Sequence, residues 1–179
     1  MPTHAAFLRA INVGGRRITN DALREACAMA GLEEPATFRA SGNVAFSAAG
    51  EDEAALQRRI EEGLERELGF AVPAYVRSAA QLRRIAAHQP FDPKLVRASD
   101  GKLQVIFVPS KPTAAKRRQA LALGTDRDRL DLRARELYWL PSGGLMDSEL
   151  DRAALDRLLG PSTVRTKGTI EGVVEKYFG

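Results

Sequence analysis

The sequence predicts an α+β protein made of two β-α-β-β-α-β halves packed together. Short apolar stretches alternate with longer ones whose apolar residues recur at helical spacing, and glycine, proline and asparagine separate them. The order of these elements over residues 1–90 returns in outline over residues 91–179. With 179 residues, 44% of them hydrophobic, the chain can build a core in each of two small halves. We therefore expect an N-terminal half at 1–90 and a C-terminal half, ending in a helix, at 91–179.

Residues 4–77 of the first half contain four predicted strands and two predicted helices. In order, they are a strand at 4–11, a helix at 20–30, strands at 35–40 and 44–47, a helix at 51–68 and a strand at 71–77. The segment Ser41-Gly42-Asn43 between the middle strands has the residue types of a hairpin turn. Leu56, Ile60 and Leu64 give the long helix an apolar face. This order of elements is that of the ferredoxin-like fold.

The second half follows the same order, without a residue-level repeat. Its predicted elements are a strand at 102–108, a helix at 113–123, strands at 129–133 and 136–140, and a helix at 147–159. A helix from Ser78 to His88, opened by a serine cap, precedes it, and residues 90–100 link the halves. The tail at 160–170 leads into a final helix. We therefore predict a second ferredoxin-like half, related to the first by duplication.

The most informative stretch is the loop after the first strand, Asn12-Val13-Gly14-Gly15-Arg16-Arg17. Glycines let backbone come close to a ligand, and both unpaired backbone N–H groups and arginine side chains bind anions. The next helix opens at Thr19, Asn20 and Asp21, residue types that cap a first turn. The glycine spacing fits neither the dinucleotide-binding nor the phosphate-binding signature. The loop is therefore a candidate anion site without a catalytic signature.

The predicted topology places this loop beside the turn at 41–43. In a ferredoxin-like unit the first strand lies next to the third, so the end of strand one and the turn between strands two and three share an edge. Amides, a hydroxyl and cations would line one concavity, formed by Asn12, Gly14, Gly15, Arg16, Arg17, Ser41, Gly42 and Asn43. An alternative stays open with equal weight: the glycines serve only turns with positive φ, and Asn12 and Asn43 cap their own backbone.

Three further residues extend the candidate ligand site. Arg9 shares a predicted strand face with Phe7, an arrangement that can hold a phosphate and a base, but the consensus aromatics of RNA-recognition sheets are missing. Arg165 and Thr169 lie in the hydroxyl-rich tail and would form a second anion contact. Capping of the final helix by Thr166 or Thr169 is the alternative for that segment.

The composition excludes several kinds of site. A single cysteine, Cys27, excludes an internal disulfide framework and lies on the apolar face of the first helix, where we expect it to be buried. His4 and His88 show no metal-ligand spacing, so no metal site is predicted, and His88 is expected to interact with the last carbonyls of its helix. No apolar run approaches the ~20 residues that cross a bilayer. We expect no membrane association and a cytoplasmic location.

Several stretches together resemble one known family. In chain order they are Phe7-Leu8-Arg9-Ala10-Ile11-Asn12-Val13-Gly14-Gly15, Ser41-Gly42-Asn43-Val44-Ala45-Phe46, Val72-Pro73 with Val76-Arg77-Ser78, Pro90-Phe91 and Thr163-x-Arg165. The chain is similar over nearly its whole length to the bacterial family catalogued as domain of unknown function 1697. The resemblance implies an α+β fold and brings no established activity or catalytic residues. The chain departs from the family pattern at Ala10, usually glycine, at Thr166-Lys167, usually asparagine and tryptophan, and at Ser148-Glu149, often a Ser-Lys pair.

Three hypotheses for function follow. The first is a binder of a phosphate-containing partner, a nucleotide or nucleic acid, which the net charge of +4 favours, although a solvated surface explains that charge as well. The second is an enzyme acting on a small phosphorylated or carboxylated metabolite at the same edge, with Ser41 a nucleophile only if a base lies beside it. The third is an assembly protein that pairs through an uncovered sheet face, as a homo-oligomer or with another chain. We favour the first; the sequence identifies no cofactor.

Overall fold

The computed structural model describes residues 1–40 and 42–179, which contain eight strands and seven α-helices. The strands are β1 (His4–Leu8), β2 (Glu33–Thr37), β3 (Asn43–Ser47), β4 (Ala74–Ser78), β5 (Gln104–Phe107), β6 (Asp128–Arg133), β7 (Glu136–Pro141) and β8 (Thr163–Thr166). The helices are α1 (Asn20–Met29), α2 (Glu53–Leu68), α3 (Ala79–Ala87), α4 (Pro93–Ala98), α5 (Ala114–Leu121), α6 (Arg152–Leu159) and α7 (Lys167–Tyr177), with a 3₁₀ turn at Leu145–Asp147.

The chain forms two compact units, each with its own sheet. The first unit comprises Met1–Arg84 and Gly172–Gly179, and the second comprises Ile85–Glu171. Each sheet has four antiparallel strands, in the orders β2-β3-β1-β4 and β6-β7-β5-β8. The predicted α+β class is confirmed.

The core of the first unit lies between its sheet and the helices α1 and α2. Leu23 and Cys27 of α1 and the predicted apolar stripe of α2 pack on the side chains of the central strands. Burying each of these larger side chains contributes ~1.5–3 kcal/mol. The helix ends follow the sequence signals: Asp52 Oδ2 accepts from the Ala55 N–H at 3.1 Å, and Gly69 ends α2 in the left-handed conformation.

The second unit builds a comparable core. Ile106, Leu137 and Trp139 of the sheet pack against Leu155 and Leu159 of α6. The sequence did not predict β8, whose four residues include two threonines and were assigned to the tail before the final helix. Pairing with β5, in the register Gln104↔Thr166 to Phe107↔Thr163, makes this segment a strand.

Several element bounds differ from the sequence predictions: β2 covers Glu33–Thr37 instead of 35–40, and α6 begins at Arg152 instead of 147. The first strand ends at Leu8 instead of residue 11, because Ala10 has a φ of +63° and turns the chain. Arg9 therefore follows the strand, and its N–H donates to Pro73 O at 2.9 Å. The segment predicted to link the halves contains α4, where Asp92 Oδ1 accepts from the Lys94 N–H at 2.8 Å.

The prediction for His88 was wrong. Its Nε2 lies 2.9 Å from Asp131 Oδ2 on β6, and its ring packs edge-on against Tyr138 of β7 with centroids 4.7 Å apart. His88 binds the Asp131 carboxylate of β6 instead of the helix carbonyls because a charged carboxylate is the stronger acceptor.

Both faces of the first sheet are covered at its centre. Ala5, Ala6, Phe7 and Leu8 alternate between the two faces of β1, and none is more than 3% exposed. The assembly hypothesis required an uncovered sheet face, and this central strand does not provide one.

The helices were compared with the length and apolar character of a membrane span. Within residues 1–40 and 42–179, none of them combines the length and the apolar character that a bilayer span requires.

Candidate functional site

The two glycine motifs meet where β1 ends and β3 begins, at the central strands of the first sheet. Phe7 of β1 pairs with Asn43 of β3, and the next N–H, that of Leu8, donates to Gly42 O at 2.8 Å. The loop at 12–17 begins just beyond this point. Asn12 Nδ2 reaches back to Ala40 O at 3.4 Å, so the loop and the turn are joined by a hydrogen bond.

The Asn12 side chain closes the loop on itself. Its Oδ1 accepts from the Ile18 N–H at 2.8 Å, six residues further on. Inside this ring the Arg16 N–H donates to Val13 O at 3.1 Å, which makes a tight turn over the two glycines. Asn12 therefore caps the backbone of its own loop, which is the alternative interpretation of this residue, and helps to determine the shape of the loop.

Glycine is favoured at positions 14 and 15 because of the backbone conformation there, not because a larger side chain would clash. Their φ angles are +60° and +82°, values that favour glycine. A Cβ built at either position meets nothing within 4 Å, so the surface above the loop is open. Among the described residues, no acceptor receives the N–H groups of Gly14, Gly15 or Arg17. These donors are exposed to solvent and can reach an incoming anion.

The two arginines of the loop differ in their surroundings. The Arg16 guanidinium lies over the Phe70 ring, 4.0 Å from its centroid, a cation–π contact that holds it at the surface. Arg17 is exposed, and its side chain contacts no charged or hydrogen-bonding group in the described part of the chain. The loop thus presents one positive charge that packs on an aromatic ring and one exposed positive charge without a described contact.

The turn at 42–43 is mainly structural. A Cβ at Gly42, where φ is +71°, would lie 3.2 Å from Leu8 O and 3.3 Å from Leu8 Cβ. Asn43 is 1% exposed and donates from Nδ2 to Phe38 O at 3.0 Å, while its own carbonyl accepts the Phe38 N–H at 2.9 Å. The predicted contact from Ser41 lies outside the described residues.

Arg9 directly follows β1, and the two predicted tail residues belong to the second unit. Arg9 is half-buried just after β1. Arg165 and Thr169 belong to the second unit, where Arg165 donates from Nη1 to Thr163 Oγ1 and Val164 O, both at 2.8 Å. Burial lowers the pKa of Arg165 to about 10, so it stays charged at neutral pH. Thr166 Oγ1 accepts the Thr169 N–H at 3.2 Å, which is the helix cap that the alternative expected.

The sequence reasoning missed a repeated strand-to-helix junction. Arg77 on β4 donates from Nη1 to Val76 O at 2.8 Å, the same bond that Arg165 makes to the residue before it. Each arginine lies opposite a residue of its central strand, Ala5 for Arg77 and Val105 for Arg165. In each unit a hydroxyl residue follows the arginine and caps the next helix. Aligning Val-Arg-Ser-x-x-Gln-Leu at 76–82 with Val-Arg-Thr-x-x-Thr-Ile at 164–170 would have revealed this repeat.

A second missed feature is a buried polar cluster in the second unit. Asp128, 1% exposed, accepts from Trp139 Nε1 at 2.8 Å and from Ser148 Oγ at 2.7 Å through one oxygen. Its other oxygen accepts the Glu149 N–H at 3.2 Å. The sequence offers little warning of this cluster, since an aspartate beginning a strand is usually exposed.

Two further observations concern thiol and metal chemistry. Cys27 is buried as predicted, and burial raises its pKa to about 12, so the thiol is not activated as a nucleophile. Within the two described ranges, no group of three or more His, Cys, Asp or Glu side chains is arranged to hold a metal ion.

The comparisons with known proteins bear on family and fold. The family model described as "Protein of unknown function (DUF1697)" matches residues 1–138. The conserved bacterial protein SP0830 from Streptococcus pneumoniae has a similar structure, with a TM-score of 0.68 and 17% sequence identity over 98% of this chain and 99% of that chain. At this identity the likeness concerns the fold alone. A comparison with curated proteins gives no match. On the match of the family model, this chain belongs to the DUF1697 family of proteins of unknown function.

Proposed function

We propose that the protein binds a phosphate-containing ligand, a nucleotide or nucleic acid, at the loop formed by residues 12–17. The observation that carries the proposal is the open surface over Gly14 and Gly15, where exposed N–H groups without acceptors among the described residues lie beside Arg16 and Arg17. Backbone donors and guanidinium groups together are a common means of binding phosphate. A cytoplasmic location, with access to such ligands, is part of the proposal.

The contacts made within the loop support this function. Asn12 joins both ends of the loop and contacts the neighbouring turn, and Phe70 orients Arg16. A site whose donors are already positioned loses less conformational entropy when it binds. Asn43 and Gly42 contribute to the proposed site by supporting the loop, since their own groups are packed or bonded within the turn.

For the fold, we propose that each unit is ferredoxin-like. The β-α-β-β-α-β order of residues 4–78 and the sheet order β2-β3-β1-β4 support this for the first unit. The corresponding order β6-β7-β5-β8 supports it for the second.

The test is a titration of the protein into labelled single-stranded RNA, single-stranded DNA and duplex DNA at low and moderate salt, with mononucleotides as competitors. The first variant is Arg17→Glu, which removes no described contact, and the second adds Arg16→Glu. The matched control reverses two exposed charges on α5, Lys116→Glu with Arg118→Glu. Circular dichroism establishes that every variant is folded.

We expect affinity to fall steeply with salt, because each neutralised phosphate releases counterions. Arg17→Glu should weaken binding by about tenfold and reduce the salt slope by roughly one to two charges, and the double variant should do more. Mononucleotides that compete effectively would identify a nucleotide ligand instead of a polymer. Equal losses in the loop variants and the α5 control would contradict the loop as the site, and no binding of any of these ligands would refute the proposal.

A further inference from the structure

The second unit contains a cavity of about 390 Å³ at residues that have no part in the loop at 12–17. Its walls come from the sheet, from the segment 145–150 and from the start of α6. Leu145, Leu150, Val164 and the indole of Trp139 make most of the lining apolar. This volume lies in the range of small-molecule sites, which combine apolar walls with a few placed polar groups.

The Asp128 cluster holds one wall of the cavity in place. Asp128 binds the indole N–H of Trp139 and the hydroxyl of Ser148, and both residues line the cavity. Ser148 Oγ also accepts the Leu150 N–H at 3.1 Å. These polar groups are therefore occupied, and what the wall offers to a ligand is the accessible part of Trp139, which is 3% exposed, beside apolar side chains.

Gln104 supplies an acceptor inside the cavity. It is 3% exposed, and its Nε2 donates to Gly101 O at 2.7 Å and more weakly to Lys102 O at 3.4 Å. No donor among the described residues serves its Oε1. This oxygen is not among the buried side-chain atoms that lack a partner, so solvent reaches it, and Gln104 lines the cavity. A ligand that carries an O–H or N–H group would satisfy it.

Arg152 supplies the positive charge. Its guanidinium lies 5.4 Å from the centroid of the Trp139 ring, and the residue is exposed at the first turn of α6. A single planar guanidinium matches the two oxygens of a carboxylate. Leu145, at the 3₁₀ turn, is 48% exposed and adds apolar surface that a ligand can cover.

We propose that this cavity binds a small aromatic carboxylate that carries a hydroxyl or N–H donor. The aromatic body lies against Trp139 and the apolar walls, the carboxylate pairs with Arg152, and the donor bonds to Gln104 Oε1. The site is independent of the proposed phosphate-binding loop, and the two are tested separately.

The test uses the fact that Trp139 is the single tryptophan of the chain. Its fluorescence and the NMR resonance of its indole N–H report directly on the cavity. Three probes are titrated: 4-hydroxybenzoate, benzoate, which lacks the donor, and 4-hydroxybenzamide, which lacks the charge. The variants are Arg152→Gln and, as a matched control on the same helix, Arg157→Gln, which is also exposed.

We expect 4-hydroxybenzoate to shift the indole resonance in a saturable way and to bind about tenfold more tightly than either of the other probes. Arg152→Gln should abolish the preference for 4-hydroxybenzoate over 4-hydroxybenzamide, and Arg157→Gln should leave it unchanged. Gln104→Met should abolish the preference over benzoate. If that variant does not fold, the comparison of 4-hydroxybenzoate with benzoate in the wild type still tests the acceptor.

Four results would overturn the proposal. One is the absence of any indole shift up to ~10 mM probe, a concentration that would detect very weak binding. Two others are equal affinity for all three probes and an acid-over-amide preference that survives in Arg152→Gln. Binding that is lost in Arg16→Glu with Arg17→Glu but kept in Arg152→Gln would also contradict it.

Discussion

Replacing Asp128 with alanine removes a buried carboxylate that accepts from three donors. Trp139 Nε1 and Ser148 Oγ donate to one oxygen at 2.8 and 2.7 Å, and the Glu149 N–H donates to the other at 3.2 Å. Since Asp128 is 1% exposed, water does not readily replace the lost acceptor. The variant therefore leaves buried donors unsatisfied and also loosens the wall of the cavity.

The expected magnitude follows from these contacts. Hydrogen bonds to a charged acceptor contribute ~1.5–3 kcal/mol each, and removing a partner from a buried charged network usually costs ~3–5 kcal/mol, because such contributions are not additive. We expect Asp128→Ala to lower the free energy of unfolding by about 3–5 kcal/mol, which for a chain of this size lowers Tm by about 6–20 °C. Asp128→Asn keeps one carbonyl oxygen but presents an N–H₂ group, and it should cost less, about 1–3 kcal/mol.

Urea unfolding followed by circular dichroism and by Trp139 fluorescence measures this change. Asp126→Ala is the matched control, because Asp126 is an exposed carboxylate two residues away with no described partner. It should stay within ~0.5 kcal/mol of the wild type. If Asp128→Ala lost no more stability than this control, the argument that the cluster stabilises the second unit would be refuted.

Three other perturbations test the first unit. A Cβ at Gly63 in α2 would lie 2.5 Å from Ala30 Cβ and 2.9 Å from Ala30 Cα, so Gly63→Ala should destabilise by about 1–3 kcal/mol through overpacking, less the ~1 kcal/mol gained in helix propensity. Adding Ala30→Gly removes the Cβ contact but not the backbone contact, so it should recover only part of the loss, and a stabilised single variant would contradict the packing. Burial lowers the pKa of His4, and Glu53 and Glu51 partly oppose this shift. The stability that the neutral imidazole contributes is complete above pH 6.5 and is lost as the pH falls through the lowered pKa of the folded state. Thermal melts of His4→Gln should show a smaller loss of stability over that pH interval, and an unchanged loss would argue against the burial. Because burial raises the pKa of Cys27 to about 12, a thiol reagent at pH 8 should label the protein only after unfolding, and rapid native labelling would be the contrary result.

Local sequence signals determined most of the elements. Helix α2 has a stripe of leucine and isoleucine, an acidic cap and a terminal glycine, and each of these acts within a few residues. The residue types of Ser41-Gly42-Asn43 predicted the hairpin, because a turn also depends on residues that are adjacent in the sequence. Together with the order of elements, these signals were sufficient for the fold class and for the proximity of the two glycine motifs, because strand order decides which loops share an edge.

Only the tertiary structure decided which polar residues are committed to the fold. Asn12 and Asn43 each lie within two residues of a glycine, yet Asn12 is exposed in its loop, whereas Asn43 is 1% exposed because it belongs to β3. The short strand β8 and the Asp128 cluster depend on partners 11 to 62 residues away in the sequence, from Trp139 for Asp128 to Gln104 for Thr166. Residue patterns record the conformation of a segment, whereas burial and hydrogen bonding depend on which distant segments pack against it.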